Sequence, residues 1–390
     1  IVPNPHHKRR SMIISYVSDP TSSTFPYIFS KSSTYDNALG ILAFIALGDY
    51  RNAQKVLDAL WRNFDYDRKL FFSYNTHNSW PNLKDESGAV IRTGANSWVV
   101  SAIYKYLEKM KEIYPNYLET QNGNQYLSMA NTLTEQMLKA QIIDSKDKRI
   151  GLLLGGHGRY GYEKNKTTGK VEEIYFNEKI EWASLEHNLD FYWQLKDYQK
   201  FNPQQNTQKA MALLTKGLMS AYNTKTKQLN RGTRKYVRDD KQALDTSSWA
   251  SVVVKDLGRD KLAKTILKSS QNYLTYPRTE KRFFGHKPYL NMLVFESYKI
   301  NSWMYPETPN LNWNDIKIAW GEGSYGVALA NFKLGKIVSY RRMLKKLEWM
   351  TKPDGSVMYA NKNIPFQFSN QGSVASTAWK IIAHYPEIIW

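Results

Sequence analysis

The sequence predicts an all-α fold: an (α/α)6 toroid of six helical hairpins with long rim loops, with residues 1–390 as one domain. Three observations carry that expectation. A short polar cluster that leads straight into a small-and-aromatic apolar stretch recurs six times. An amphipathic segment follows the apolar stretch in the clearest units. The markers Asp36, Asn96, Asn188, Ser247, Gly323 and Thr377 are spaced by 60, 92, 59, 76 and 54 residues. That is too long for helical solenoid repeats and suits a helical hairpin with long loops.

The first unit opens at Thr34-Tyr35-Asp36-Asn37, where side-chain oxygens can serve the orphan N–H groups of a helix start. Ala38–Leu47 follows, apolar on most faces and therefore expected to be buried all round. Arg51–Trp61 then returns with Ala53, Val56, Leu57 and Leu60 at i, i+3, i+4 and i+7. The second unit opens at Thr93-Gly94-Ala95-Asn96-Ser97-Trp98. The extra length before the third includes Gly151–Tyr162, rich in glycine and tyrosine and expected as an ordered loop or short hairpin at the rim. Its Gly155-Gly156-His157-Gly158 run has no strand pattern before it and no Gly-Lys-Ser/Thr after it, which argues against phosphate binding.

The third unit opens at Ser184-Leu185-Glu186-His187-Asn188-Leu189-Asp190. The fourth opens at Leu244-Asp245-Thr246-Ser247-Ser248-Trp249 and returns over Lys261–Leu274. The fifth, Trp320-Gly321-Glu322-Gly323-Ser324-Tyr325, returns over Ile337–Met350. The sixth, Ser373–Trp379, closes with a short tail, so its return helix is expected to be missing or supplied by the N-terminal segment. In a ring of such hairpins all inner helices run the same way. All six polar clusters then meet at one mouth.

Composition bounds the function. Lys and Arg number 54 against 35 Asp and Glu, a formal net charge of +19, which suggests attraction to a polyanion or, spread as it is, simply a solvated basic surface. The densest basic patch is Lys333–Lys352. No helix-turn-helix, zinc-finger or RNP-like pattern converts that charge into nucleic-acid reading, so no nucleic-acid partner is expected. The longest apolar run, Ala38–Leu47, is half of what a bilayer span needs, so no membrane span is expected. Cysteine is absent, which removes disulfides, thiolate metal sites and cysteine nucleophiles. Its absence fits a periplasmic or secreted location. The chain begins at Ile1, so the expectation is that its natural start, with any signal segment, lies upstream.

Helix N-termini gathered at one mouth favour carboxylates. Those available are Asp36, Glu181, Glu186, Asp190, Asp245, Glu322 and, in a following loop, Asp354. Paired carboxyls are what glycosidic cleavage uses: one donates a proton to the leaving oxygen, the other activates water or attacks the anomeric carbon. Glu186 and Asp190 lie four apart and share one helical face. Asp245 reads equally as an N-cap and as a carboxylate at the mouth. Glu322 sits between Gly321 and Gly323, which would leave room for a ligand to approach. Tyr35, Trp98, Trp182, Trp249, Trp320, Tyr325 and Trp379 would give flat faces for sugar rings, with Asn96 and His187 as polar contacts. Arg92 reads equally as a clamp on the ligand and as half of a structural ion pair. One histidine, His187, among carboxylates is a poor transition-metal set, and no EF-hand spacing occurs, so neither metal nor other cofactor is expected. A Gly-x-Ser-x-Gly elbow is absent, against a serine triad.

Tyr35-Asp36-Asn37-Ala38-Leu39, Arg92–Trp98, Ser184–Asp190, Trp320-Gly321-Glu322-Gly323 and Ser376-Thr377-Ala378-Trp379 resemble the blocks of bacterial six-hairpin glycosidase-like proteins, in order and phase over nearly the whole chain. That resemblance implies a toroid whose mouth binds saccharide, with an acidic pair as general acid and base. Glu186 and Glu322 lead as that pair, with Asp36, Asp190 and Asp245 as alternates. The superfamily holds inverting hydrolases, phosphorylases and epimerases, and related toroids are polysaccharide lyases. The expectation is a glycoside hydrolase on a poly- or oligosaccharide, with protonated Glu186 as donor and Glu322 or Asp36 activating water. The alternatives are a lyase on an acidic glycan, using His187, Tyr35, Arg92 and Arg159, and a non-catalytic glycan-binding toroid.

Overall fold

The structure, a computed structural model, describes residues 9–22, 25–76, 90–203, 205–277 and 283–390. In chain order its helices are α1 (Phe25–Ile28), a single turn; α2 (Thr34–Ala46) and α3 (Tyr50–Asp67); α4 (Thr93–Ile113) and α5 (Gln121–Lys139); and α6 (Leu185–Phe201) and α7 (Gln205–Ser220). They continue with α8 (Asp245–Asp256) and α9 (Asp260–Ser269), α10 (Tyr298–Met304) in a rim loop, α11 (Gly321–Lys333) and α12 (Ile337–Leu347), and α13 (Val374–His384). α2 packs on α4, α4 on α6, α6 on α8, α8 on α11 and α11 on α13, and α13 returns to α2. The ring closes. Outside it, α3, α5, α7, α9 and α12 each pack on the inner helix before them.

Two kinds of helix surface produce this layering. α11 is buried continuously from Gly321 to Asn331, and α2 from Asp36 to Ala43, because each is wedged between two inner neighbours and an outer helix. α12 buries only Tyr340 and Leu347, and its remaining residues meet solvent. Each fully buried Leu or Ile of the inner ring, such as Leu39, Ile41 and Leu42, contributes about 1.5–3 kcal/mol.

Indoles close the axis of the ring. Trp249 of α8 stacks on Trp379 of α13 at 5.1 Å, Trp98 of α4 meets both edge-on, and Trp390 packs against Trp249 and Trp379. The toroid therefore has a floor. It is a cup rather than a pore.

The fold departs from all-α at the rim. Short strands deliver most inner helices: Lys31–Ser33 before α2, Ile91–Arg92 before α4, Ala183–Ser184 before α6, Gln242–Ala243 before α8 and Gly372–Ser373 before α13. These strands are mostly buried, and their backbone N–H and C=O groups need partners, which short ladders supply. Gly151–Tyr162 enters a longer hairpin than expected: Gly156–Lys164 pairs antiparallel with Val171–Ile180, and Gly156 also pairs with Arg92. The hairpin reaches over to later rim loops, where Tyr162 packs on Phe295 and Phe366, both at 5.4 Å.

The sixth unit has no return helix among the described residues. Extended chain takes that place: Tyr16–Val17 pairs with Gly372–Ser373, the Val374 N–H donates to the Ser15 carbonyl, and Met12 is fully buried. No described helix is long and apolar enough to cross a membrane.

Candidate active site

The N-terminal turns of α2, α6, α8 and α11 bring five carboxyls, two of them from α6, within electrostatic reach of one another. Glu322 faces Asp36 and Glu186, Asp190 faces Glu186 and Glu322, and Asp245 faces Glu186, Asp190 and Glu322. Ring order places Glu186, Asp245 and Glu322 on three successive inner helices, an arc along one side of the cup. Asp190 lies one turn below Glu186.

Tyr35 sits at the centre of the floor. Its hydroxyl donates to Glu322 Oε1 at 2.5 Å and accepts from Trp379 Nε1 at 2.8 Å, and its ring meets Trp98 edge-on. A residue of α2 thus bridges α13 and α11.

Burial pushes every one of these acids upward, because a carboxylate held away from water loses its hydration. Glu322, 5% exposed, is pushed up to about 8; its like-charged neighbours Glu186 and Asp36 add to the rise, and the Tyr35 bond opposes it. Glu186, half-buried, rises to about 7 by burial alone. Asp36 rises to about 7, held back by the Ser15 hydroxyl and by Lys31. Asp190 and Asp245 rise through burial and then through the neighbouring carboxyls.

Asp245 is no helix cap. Leu244 occupies that position, and Asp245 Oδ1, in a residue 4% exposed, has no hydrogen-bond partner among the described residues. A buried acceptor left open in this way suits a ligand hydroxyl. Ser184 instead caps α6, accepting from the His187 N–H. His187 itself is half-buried, with Nδ1 3.5 Å from the Thr93 hydroxyl; burial first, then Arg92, holds it down to about 3, a neutral imidazole. Gly94 makes room for it, since a Cβ there would strike the His187 ring and the Asp190 carboxyl.

Several residues expected at the mouth lie elsewhere. Trp249 is 1% exposed inside the indole floor, and Tyr325 is fully buried between α11 and α12, with its hydroxyl on the Leu347 carbonyl. Trp320 is buried against Phe368 in a rim cluster. The glycines around Glu322 serve packing rather than ligand approach: Gly323 lies under the Trp320 ring and Gly321 against Met358 and Ser376. Trp98 is a floor residue, 4% exposed, and Asn96 is buried in the first turn of α4. Arg92 makes no ion pair among the described residues; its Nη1 donates to the Gly158 and His157 carbonyls and its guanidinium lies over Phe72. Arg159 is exposed on the hairpin and paired with Glu178. Glu181 is exposed, and Asp354 closes a turn by accepting from Ser356.

The rim adds residues that the repeat does not mark. Tyr289 faces Glu186 and Asp245, and Tyr359 faces Glu322, Asp36 and Tyr16; all three tyrosines are half-buried. His286, which pairs antiparallel with Trp320, is held down to about 4 by burial, and its Nδ1 has no partner among the described residues. Only the abundance of tyrosine, 27 residues, hinted at this lining. No three described His, Asp or Glu residues are arranged to hold a metal ion.

Comparison with known proteins agrees with this architecture. No family model and no curated protein matches the chain. Among solved structures it is similar to a cellobiose 2-epimerase from Bacillus thermoamylovorans, with TM-score 0.59, 10% identity, and 92% of this chain and 88% of that one covered. It is also similar to a D-mannose isomerase, with TM-score 0.59, 10% identity, and 99% and 92% covered. An α-mannanase from Bacteroides thetaiotaomicron superposes with TM-score 0.51 and 11% identity, covering 94% and 90%. These likenesses extend over the full ring, so the fold is that of the six-hairpin glycosidase-like toroids.

Proposed function

We propose that the cup binds a saccharide and hydrolyses a glycosidic bond in it. The observation that carries this reading is the arc of carboxyls Glu186–Asp245–Glu322 at the mouth, each held by desolvation above the ordinary carboxyl range, Glu186 to about 7 and Glu322 to about 8. Superfamily members with this fold that are named as glycosidases, isomerases and epimerases agree with a sugar ligand.

The structure suggests exchanging the roles expected from sequence. Glu322 is the more fully buried of the pair and the one pushed higher, so it keeps its proton at neutral pH and is the general acid. Half-buried Glu186 ionises first and is the base. In the reaction the Glu322 proton passes to the glycosidic oxygen as the bond from C1 to that oxygen breaks. A water held by Glu186 adds to C1 and gives its proton to the Glu186 carboxylate. Tyr35 holds the other Glu322 oxygen in place, and the open Asp245 Oδ1 takes a sugar hydroxyl.

Incubation with a panel of neutral and acidic polysaccharides, following reducing ends and absorbance near 235 nm together, tests this. Reducing ends without absorbance are expected, and their loss in Glu322→Gln. A lyase would raise both signals; the two arginines expected to neutralise its uronate are otherwise engaged, Arg92 with carbonyls and Arg159 with Glu178. A second reading, sugar epimerisation or isomerisation, takes half-buried His187 and buried His286, with the His286 Nδ1 unpartnered among the described residues, as the groups that carry the proton. Proton NMR of free sugars incubated in heavy water separates the two, since only that reaction exchanges a carbon-bound proton.

A further inference from the structure

Outside the cup lies a second concave surface. A cavity of about 370 Å³ opens between the chain after α7, at Ser220 and Ala221, and the small hairpin that pairs Gly232–Thr233 with Arg238–Asp239. Lys148, Arg234, Lys235 and Arg238 all line it. None of the four forms an ion pair among the described residues. The acids at hand are already engaged: Asp147, which faces Lys235, is held by Arg149 through Nε and Nη2, and Asp239 by Arg231 through the same two nitrogens. At the lip, Tyr236 is 84% exposed, with the Lys235 ammonium over its ring.

The cations are mounted on a fixed frame. Gly232 pairs with Ser184 as well as with Asp239, the Trp182 indole lies where a Gly232 side chain would be, and Arg231 covers that indole at 5.4 Å. The turn itself is closed by the Arg234 N–H on the Val237 carbonyl. Four like charges lining one cavity repel one another, and a bound anion relieves that repulsion. The strand behind the hairpin, Ala183–Ser184, runs directly into α6 and Glu186. The cavity and the cup are thus two faces of one rim.

We infer that this cavity is an anion-binding subsite for an acidic glycan, taking carboxylate, sulfate or phosphate substituents while Tyr236 offers its ring to a sugar face. The choice of a glycan rests on the saccharide reading of the cup; the anion chemistry does not. The cup itself is lined with carboxyls, so the acidic groups belong to sugar residues beyond the one cleaved.

Binding of polygalacturonate by titration calorimetry at two salt concentrations tests this, on the native chain, R234E/R238E and K345E/K346E. The last pair changes net charge equally, on α12. The groove variant is expected to bind at least about tenfold more weakly with a shallower salt dependence, and the control within about twofold. Equal weakening in both variants, or in neither, overturns the subsite. A second titration with a single-stranded oligonucleotide decides the polymer: groove-dependent binding of the oligonucleotide but not of polygalacturonate overturns the glycan. The saccharide reading is judged separately, by reducing-end release from neutral glycans, which the groove variant is expected to leave unchanged. Loss of that release in Glu322→Gln together with unchanged polyanion binding keeps the two conclusions apart.

Discussion

In the cup, Asp36, Glu186, Asp190, Asp245 and Glu322 stand among tyrosines and indoles with Lys31 the cation acting on Asp36 and Tyr35 the bonded partner of Glu322. On α12, at the outer wall, Arg341, Arg342, Lys345 and Lys346 are exposed, Lys346 with its ammonium over the Phe284 ring. In a chain of net charge +19, these five acids thus lie where water is scarce and these four bases where water is plentiful. Charge number is the same currency in both places, and the dielectric decides its effect: desolvation moves a buried carboxyl by several units, whereas exposed charges are screened within about 10 Å. Chemistry is thus expected of the few acids, and solubility and polyanion attraction of the many bases.

The sharpest way to break that contrast is to neutralise the acids one at a time. Glu322→Gln and Glu186→Gln are each expected to lower kcat/KM about 100- to 10,000-fold, the usual worth of a general acid or base. Circular dichroism should stay unchanged, since neither substitution alters side-chain volume. Reducing-end assays at matched protein concentration check this, and full activity in Glu322→Gln would sink the assignment. Tyr35→Phe should have a smaller effect, about 10- to 100-fold, because the acid survives and only its anchor is lost. That variant also leaves the buried Trp379 N–H without its acceptor, at a cost of about 1–3 kcal/mol in thermal unfolding. Its pH profile carries the distinguishing sign: the Tyr35 bond holds Glu322 down, so the limb belonging to Glu322 should move to higher pH.

How much of this contrast the sequence discloses depends on the element. The six helix starts were legible because N-cap chemistry and an all-round apolar stretch are local signals, and each inner helix begins within a few residues of its cluster. Function and capping use the same residue types, so Asp245 could not be told from a cap until its free oxygen and Leu244 were seen in place. Depth along the axis was also invisible. Trp98, Trp249 and Trp379 fall in the first or second turn of their helices, and only the closure of the ring turns them into a floor rather than a mouth. Tyr289, Tyr359 and His286 lie in rim loops that obey no period, and loops are where positional information in a repeat is weakest. The same long loops hid the strands, which form to pair backbone groups and leave no strong side-chain pattern.

Stability against pH sharpens the comparison from the other side. Glu322 and Asp36 have folded-state values, about 8 and about 7, above the ordinary carboxyl range. A raised value means the folded protein keeps protons that the unfolded chain releases. Their contribution to stability is complete below about pH 4 and is lost as pH rises through 7 and 8. On the order of 3 kcal/mol is at stake for a buried group of this kind. Calorimetric Tm values at pH 5, 6, 7 and 8 should therefore fall with pH, and Glu322→Gln should flatten the fall because glutamine cannot ionise. A native profile with the opposite slope would mean that the cup stabilises ionised acids.

The smallest effect is expected on the outer wall, and its smallness is what the comparison requires. Reversing Lys345 and Lys346 to glutamate changes formal charge by as much as any pair of substitutions in the cup could, yet both side chains are exposed and neither makes an ion pair among the described residues. Near the C-terminus of α12 they also sit at the negative end of the helix dipole, so reversal loses a favourable interaction worth about 0.3–1 kcal/mol per charge at low ionic strength. Salt reduces that figure. A chemical-denaturation experiment at 0.15 M salt should show the double variant within about 1 kcal/mol of the native chain, with catalysis unchanged. Should it instead unfold the ring or slow turnover as Glu322→Gln does, the exterior charge would be coupled to the cup, and the division between a reactive interior and a merely attractive surface would fall.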